Sequence, residues 1–452
     1  MGRLAFAIFI FAALGHTMMA PRKLGFRVTK PLAKWASSGQ SVSPNILNLK
    51  KGGRAAKSSS YLKSLRTASA SDLKRPAYGE KPVDNLLSAE YIAEISWDGI
   101  PVNVIIDTGS SDSWLVQNGF TCVDQNHRVQ TPSQCMFGPT FQGTFDDAAI
   151  PNQHFNLMYA DLEFMTGTMG YETVTVAGIT VEHQEVALVN YTYWFGDSVT
   201  SGLMGLAYSR LTSAFVGTNS SVNDTDKQVP YDPIMTTMIK QGLIEPVFSL
   251  ALQRDSDNGY LALGGLPSGN YTGPFATTPI LMIELFDDPK MATEYSFYTI
   301  IADAYIYTGS EKTKPDTGPW GQLLKNITVN TNQFPVIVDS GTTLMYLPSA
   351  IYQDLIALYD PPAVFSEALS SAVTSCNASV PEFGISIGGQ VFKIGKADML
   401  IPSSVDPVTG LCATGVMDGG MGPYVLGDTF MNNVISVFDI GAAEMRFVAN
   451  KY

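Results

Sequence analysis

Asp107 and Asp339 stand in two near-copies of one octet, Val104-Ile105-Ile106-Asp107-Thr108-Gly109-Ser110-Ser111 and Val336-Ile337-Val338-Asp339-Ser340-Gly341-Thr342-Thr343. Each places three apolar residues ahead of an aspartate, then a small hydroxyl residue, a glycine and two more hydroxyls. An isolated Asp-Thr-Gly is an ordinary turn. Two in matched frames, 232 residues apart, point instead to an internal duplication in which each half brings one carboxyl to a shared seam. Two carboxyls within hydrogen-bonding distance cannot both ionise cheaply, so such a pair keeps one proton over an acidic to mildly acidic range and titrates as a unit. One carboxylate can then act as general base on a water bound between them, while its protonated partner donates to the carbonyl under attack. The result is a tetrahedral intermediate with no covalent link to the protein, and this chemistry calls for neither metal nor cofactor.

The elements that must hold such a pair are strands. The uninterrupted apolar run before each aspartate reads as a strand buried on both faces, and Gly109 and Gly341 permit the tight turn that follows. Upstream, Tyr91-Ile92-Ala93-Glu94-Ile95 leads through Trp97-Asp98-Gly99 to Val102, Val104 and Ile106, the pattern of a hairpin that delivers Asp107 at a strand end. A second repeated element, two apolar residues and a glycine, follows each aspartate in the same order: Leu203-Met204-Gly205 and Val425-Leu426-Gly427. At 452 residues, 45% apolar and 15% charged, the chain can hold two domains with sizeable cores, and its many Gly, Pro, Ser, Thr and Tyr residues favour strands and turns. The predicted class is all-β, mainly strand, in two related lobes.

The N-terminal region reads differently. Arg3 and the short uncharged apolar run Leu4 to Leu14 predict a signal peptide over about residues 1–20, too short to span a bilayer comfortably. Residues 21–75 hold 13 Lys and Arg with one acid, Asp72, whereas residues 76–452 hold 14 Lys and Arg against 40 acids. A basic arm thus precedes an acidic body. Lying behind an export signal and ending at the dibasic pair Lys74-Arg75, it predicts a removable propeptide that covers the cleft as an intramolecular inhibitor, and not a nucleic-acid-binding tail. Residues 76–263 and 264–452 form the expected N-terminal and C-terminal lobes. No later run approaches ~18 apolar residues and the chain end lacks a hydrophobic tail, so no membrane anchor is expected. The four cysteines fall in two local pairs, and Cys122–Cys135 with Cys376–Cys412 is the simplest of three connectivities. Six Asn-x-Ser/Thr sequons, at Asn190, Asn219, Asn223, Asn270, Asn326 and Asn377, are compatible with a glycosylated surface.

With these residues in place the chain resembles the pepsin-like aspartic endopeptidases, over residues ~84 to 452. Asp107-Thr108-Gly109-Ser110-Ser111, with Trp114 three residues on, is similar to that family's first catalytic loop, and Asp339-Ser340-Gly341-Thr342-Thr343 to its second. Phe155 to Val176 resembles its flap hairpin, with Tyr159 as flap tyrosine, although Tyr159-Ala160-Asp161-Leu162-Glu163 departs from it where glycines are usual at the positions of Ala160 and Leu162. The cysteine pairs fall where the family commonly places disulfides. The resemblance implies a bilobal fold with an interlobe cleft, Asp107 and Asp339 as catalytic dyad, and Tyr159, Asp161 and Trp114 at the flap and substrate site. Thr108 and Ser340 would brace the opposite loops, Ser110 and Thr342 would donate to the outer carboxylate oxygens, and Tyr159 would close over the substrate. It also implies a secreted, monomeric zymogen that hydrolyses extended peptide segments at acidic pH, in the extracellular medium or an acidic vacuole or lysosome-like compartment.

Rival readings are weaker. Gly384-Ile385-Ser386-Ile387-Gly388 matches a nucleophile elbow, yet it alternates like a strand and no histidine follows it, the four being His16, His127, His154 and His183. Those histidines are dispersed and make no metal constellation. The Asp339 loop also resembles phosphate loops of actin-like and sugar-kinase ATPases, against which the export signal and paired cysteines argue. The remaining alternative is a catalytically inactive protein of the same fold, acting in binding or inhibitor sensing, against which the intact aspartates and hydroxyls of both loops argue.

Overall fold

The computed structural model describes residues 25–27, 41–53, 89–159, 162–223, 227–254, 259–267, 271, 273–284, 294–308, 316–317, 323–324, 327–369, 371–420 and 422–450. The segment assigned to the signal peptide, the dibasic pair, and flap residues Ala160 and Asp161 lie outside them. The architecture is bilobal and all-β. Among the described residues the largest assembly is a 14-stranded sheet that starts in the first half, at Ala214–Val216, and ends in the second, with Val434–Asp439, Glu444–Ala449 and Ala276–Pro279.

The two octets form corresponding structures. Ile100–Asp107 runs antiparallel to Ala89–Trp97 and parallel to Gly202–Gly205, with Asp107 opposite Gly205. Phe334–Val338 runs antiparallel to Thr299–Ala302 and parallel to Tyr424–Leu426, so Val338 lies opposite Leu426. In each half the strand after the aspartate loop turns back antiparallel to that same apolar-apolar-Gly element, as Ser113–Leu115 with Gly202–Met204 and as Met345–Tyr346 with Leu426–Val425. The element is therefore clamped between two strands, which is why it must be apolar. Its glycine is required where loop and strand cross, because a Cβ at Gly205 would lie 2.6 Å from the Ser111 carbonyl carbon and one at Gly427 2.1 Å from the Thr342 carbonyl oxygen. Val104, Ile106, Val336 and Val338 are fully buried, so each aspartate emerges from the core itself.

Part of the basic arm is paired with the body. Asn45–Gly53 lies in the large sheet, with Asn45 to Leu49 antiparallel to Gly259–Leu263 and Lys50 to Gly53 antiparallel to Ala89–Ile92. Leu49 is fully buried in the main core, and Lys51 Nζ donates to the Arg254 carbonyl at 2.9 Å. Both cysteine pairs are bonded, Cys122–Cys135 and Cys376–Cys412. Among the described residues no helix is long and apolar enough to cross a membrane.

Candidate active site

Asp107 and Asp339 meet at the junction of the two octets. A Cβ built on Gly109 would lie 2.5 Å from the Asp339 carboxyl, and one on Gly341 2.5 Å from Oδ1 of Asp107. Each loop thus slides its glycine under the other half's aspartate, a passage that any side chain would block. The two carboxyls are held alike. Asp107 Oδ1 accepts from the Gly109 N–H at 2.7 Å and its Oδ2 from the Ser110 hydroxyl at 2.5 Å; Asp339 Oδ1 accepts from the Gly341 N–H at 2.8 Å and its Oδ2 from the Thr342 hydroxyl at 2.6 Å.

Thr108 and Ser340 cross-link the loops behind the carboxyls. The Thr108 hydroxyl donates to the Val338 carbonyl (3.1 Å) and accepts from the Ser340 N–H (2.9 Å). Reciprocally, the Ser340 hydroxyl donates to the Ile106 carbonyl (2.8 Å) and accepts from the Thr108 N–H (3.1 Å). All four bonds are buried, where each is stronger than in water and each loss leaves a polar group stranded. Burial pushes the Asp107 carboxyl well above the usual range, and the neighbouring Asp339 charge pushes it further, against the lowering effect of its Ser110 and Gly109 donors. The arrangement favours a shared proton.

Tyr159 directly follows the strand Ala149–Met158, and its hydroxyl accepts from Trp114 Nε1 at 3.0 Å. Trp114 is fully buried and meets Trp194 edge-on at 5.3 Å, while Trp194 lies 5.9 Å from the Tyr159 ring and stacks on Phe137. These rings form one aromatic wall beside Tyr159. Leu162 occupies the left-handed region at φ 72°, keeping a conformation that glycine adopts freely and leucine only under constraint.

Several residues here were not singled out by the sequence. Asp112, fully buried just after the first loop, accepts from the Tyr231 hydroxyl (2.6 Å) and the Ser213 N–H (2.9 Å), while its Oδ2 has no partner among the described residues. Burial pushes its carboxyl up to about 6 despite those donors. The signal available was its place in Ser110-Ser111-Asp112, an acid directly behind the loop. Asp428, directly after Gly427, is buried with both oxygens unpartnered among the described residues, and burial raises its carboxyl strongly. Among the described residues no group of three His, Cys, Asp or Glu side chains could hold a metal ion.

The family profile described as eukaryotic aspartyl protease matches residues 90–450. An Aspergillus fumigatus protein named as a probable aspartic-type endopeptidase is 40% identical over 358 residues, covering 77% of this chain and 75% of its own. Human gastricsin is 27% identical over 380 residues, covering 80% and 81%. The crystal structure of the aspartic proteinase from Irpex lacteus superposes with a TM-score of 0.58 at 19% identity, over 82% of this chain and 96% of that one, a likeness of fold.

Proposed function

The chain belongs to the eukaryotic aspartyl protease family, and from that premise we propose that Asp107 and Asp339 form the dyad of a secreted, zymogen-type endopeptidase that cuts extended protein segments at acidic pH. Aspartic endopeptidase activity on peptide bonds comes with the family. The observation that carries it is the interlocked pair of loops, each glycine lying against the other half's carboxyl. In the proposed reaction the ionised carboxyl takes a proton from the water held between the pair as its oxygen bonds to the scissile carbonyl carbon. The protonated carboxyl donates to the carbonyl oxygen, and collapse of the tetrahedral intermediate with proton transfer to the amine releases two peptides. Ser110 and Thr342 keep the outer oxygens hydrogen-bonded, while Thr108 and Ser340 keep the carboxyls from separating. Tyr159 and the aromatic wall around Trp114 would seat a peptide whose large apolar side chains flank the cut.

Residues 21–75 are read as the propeptide. Because Asn45–Gly53 is a paired strand of the large sheet, maturation must displace that strand as well as cut the chain. The acidic body explains why the arm is basic: the arm neutralises it during folding. The mature enzyme is read as a monomer released to the medium or to an acidic compartment. Incubating purified precursor at acid pH tests all of this, with N-terminal sequencing of the product and a parallel Asp107→Asn variant. The wild type should mature and digest denatured protein, with inhibition by a statine-type peptide. An Asp107→Asn variant that digests equally well would overturn the dyad.

A further inference from the structure

The flap hairpin is fastened to the segment after Tyr193 by the buried carboxyl of Glu163. Glu163 precedes the returning flap strand, Phe164–Val176, and is 2% exposed. The ladder between that strand and Ile179–Tyr193 ends at Phe164 opposite Tyr193. Just beyond that end, Glu163 Oε1 accepts from the Phe195 N–H at 2.6 Å, so the side chain adds a rung where the main chains have stopped pairing. A hydrogen bond with little solvent access is stronger than the same bond in water, and its loss leaves the Phe195 N–H without this acceptor.

What lies at each end gives the rung its consequence. On the flap side the Tyr159 N–H donates to the Glu163 carbonyl (2.8 Å) and the Leu162 N–H to the Tyr159 carbonyl (3.1 Å), so main-chain bonds join Glu163 to Tyr159, and Leu162 stands at positive φ. On the other side, Phe195 follows Trp194, the ring that touches both Tyr159 and Trp114. Gly196 N–H donates to the Cys135 carbonyl (2.9 Å), and Ser198 N–H to the Met136 carbonyl (2.6 Å), which pins this segment to the loop closed by Cys122–Cys135. The flap turn is thereby joined to a segment that is itself bonded beside a disulfide.

We propose that Glu163 is a positioning residue, whose carboxylate ties the flap turn to the Trp194-Phe195 wall and so sets where Tyr159 stands relative to the dyad. It touches neither substrate nor the reacting atoms; it acts through Tyr159 and Trp194. This inference rests on the dyad reading above, and the experiment separates the two. Glu163→Met fills a similar volume without an acceptor, and Glu163→Gln keeps an oxygen that can accept from Phe195.

Peptide hydrolysis, the dissociation rate of a statine-type peptide and thermal stability are measured for the mature wild type and both variants, with Asp107→Asn alongside. Loss of the rung in Glu163→Met is expected to raise KM and the inhibitor's dissociation rate about tenfold, with kcat changing less than about threefold. Glu163→Gln is expected to stay within about threefold of wild type in both. Met and Gln variants that both match wild type would overturn the tether, as would a Met variant that loses folding without a KM shift in its folded fraction. Full activity in Asp107→Asn would refute the dyad instead. Loss of activity there, with unchanged kinetics in Glu163→Met, would refute the tether alone.

Discussion

Replacing Asp112 with asparagine should flatten the pH dependence of stability. Asp112 is fully buried, and its carboxyl is pushed up from the ordinary 3.8 to about 6, by burial first, against its Tyr231 and Ser213 donors. The folded protein therefore holds a proton that the unfolded chain releases sooner. Below about pH 4 the group is protonated in both states and its full contribution is present. As pH rises towards 6 and 7 the folded state binds more protons than the unfolded, so stability falls, and the loss is complete once both are ionised. At about 1.4 kcal/mol per pH unit, a displacement from 3.8 to about 6 amounts to about 3 kcal/mol between pH 4 and pH 7. The asparagine side chain cannot ionise, and its amide oxygen can still accept from Tyr231 and Ser213. The assay is urea unfolding followed by tryptophan fluorescence at pH 4, 5, 6 and 7, in an Asp107→Asn background that prevents self-digestion. Glu172, pushed up to about 7 by burial, adds a slope of the same sign in both proteins and cancels in the comparison. Identical pH slopes with and without Asp112→Asn would refute the reasoning, since they would mean that Asp112 is ionised in the fold throughout.

Thr108→Val removes two buried bonds and strands the Ser340 N–H, a loss on the order of 2–4 kcal/mol, so the urea midpoint should drop and peptide hydrolysis fall with it. Unchanged stability and turnover would mean that the loops hold the carboxyls without this cross-link. Replacing Cys376 and Cys412 together with serine opens a loop whose ends are 36 residues apart, worth about 4 kcal/mol in the chain-entropy account, and should lower the thermal midpoint with little change in KM.

The duplicated octets made the two aspartates, the strand before each and the strand-rich class legible, because a repeated pattern of apolar run, acid and glycine carries its meaning within eight residues. The same locality explains the pairing of Cys122 with Cys135 and Cys376 with Cys412, each within its own half. The basic arm was legible as charge, but not as structure: that Asn45–Gly53 enters the large sheet depends on partners at Ala89–Ile92 and Gly259–Leu263, far along the chain.

Local sequence set residue types and their order; it could not set which groups lose water together. Nothing local in the sequence marks Asp112, whose hydroxyl partner Tyr231 lies 119 residues on. Glu163 carried no mark of its own beside the departures at Ala160 and Leu162, and only the fold carries Phe195 to within 2.6 Å of its carboxyl. Burial and hydrogen bonding between distant segments are properties of the packed chain, and they alone decide whether a carboxyl holds its proton or ties two loops together. The sequence therefore set the two aspartates and their matching loops, while tertiary packing decided how they are held and how neighbouring acids respond to pH.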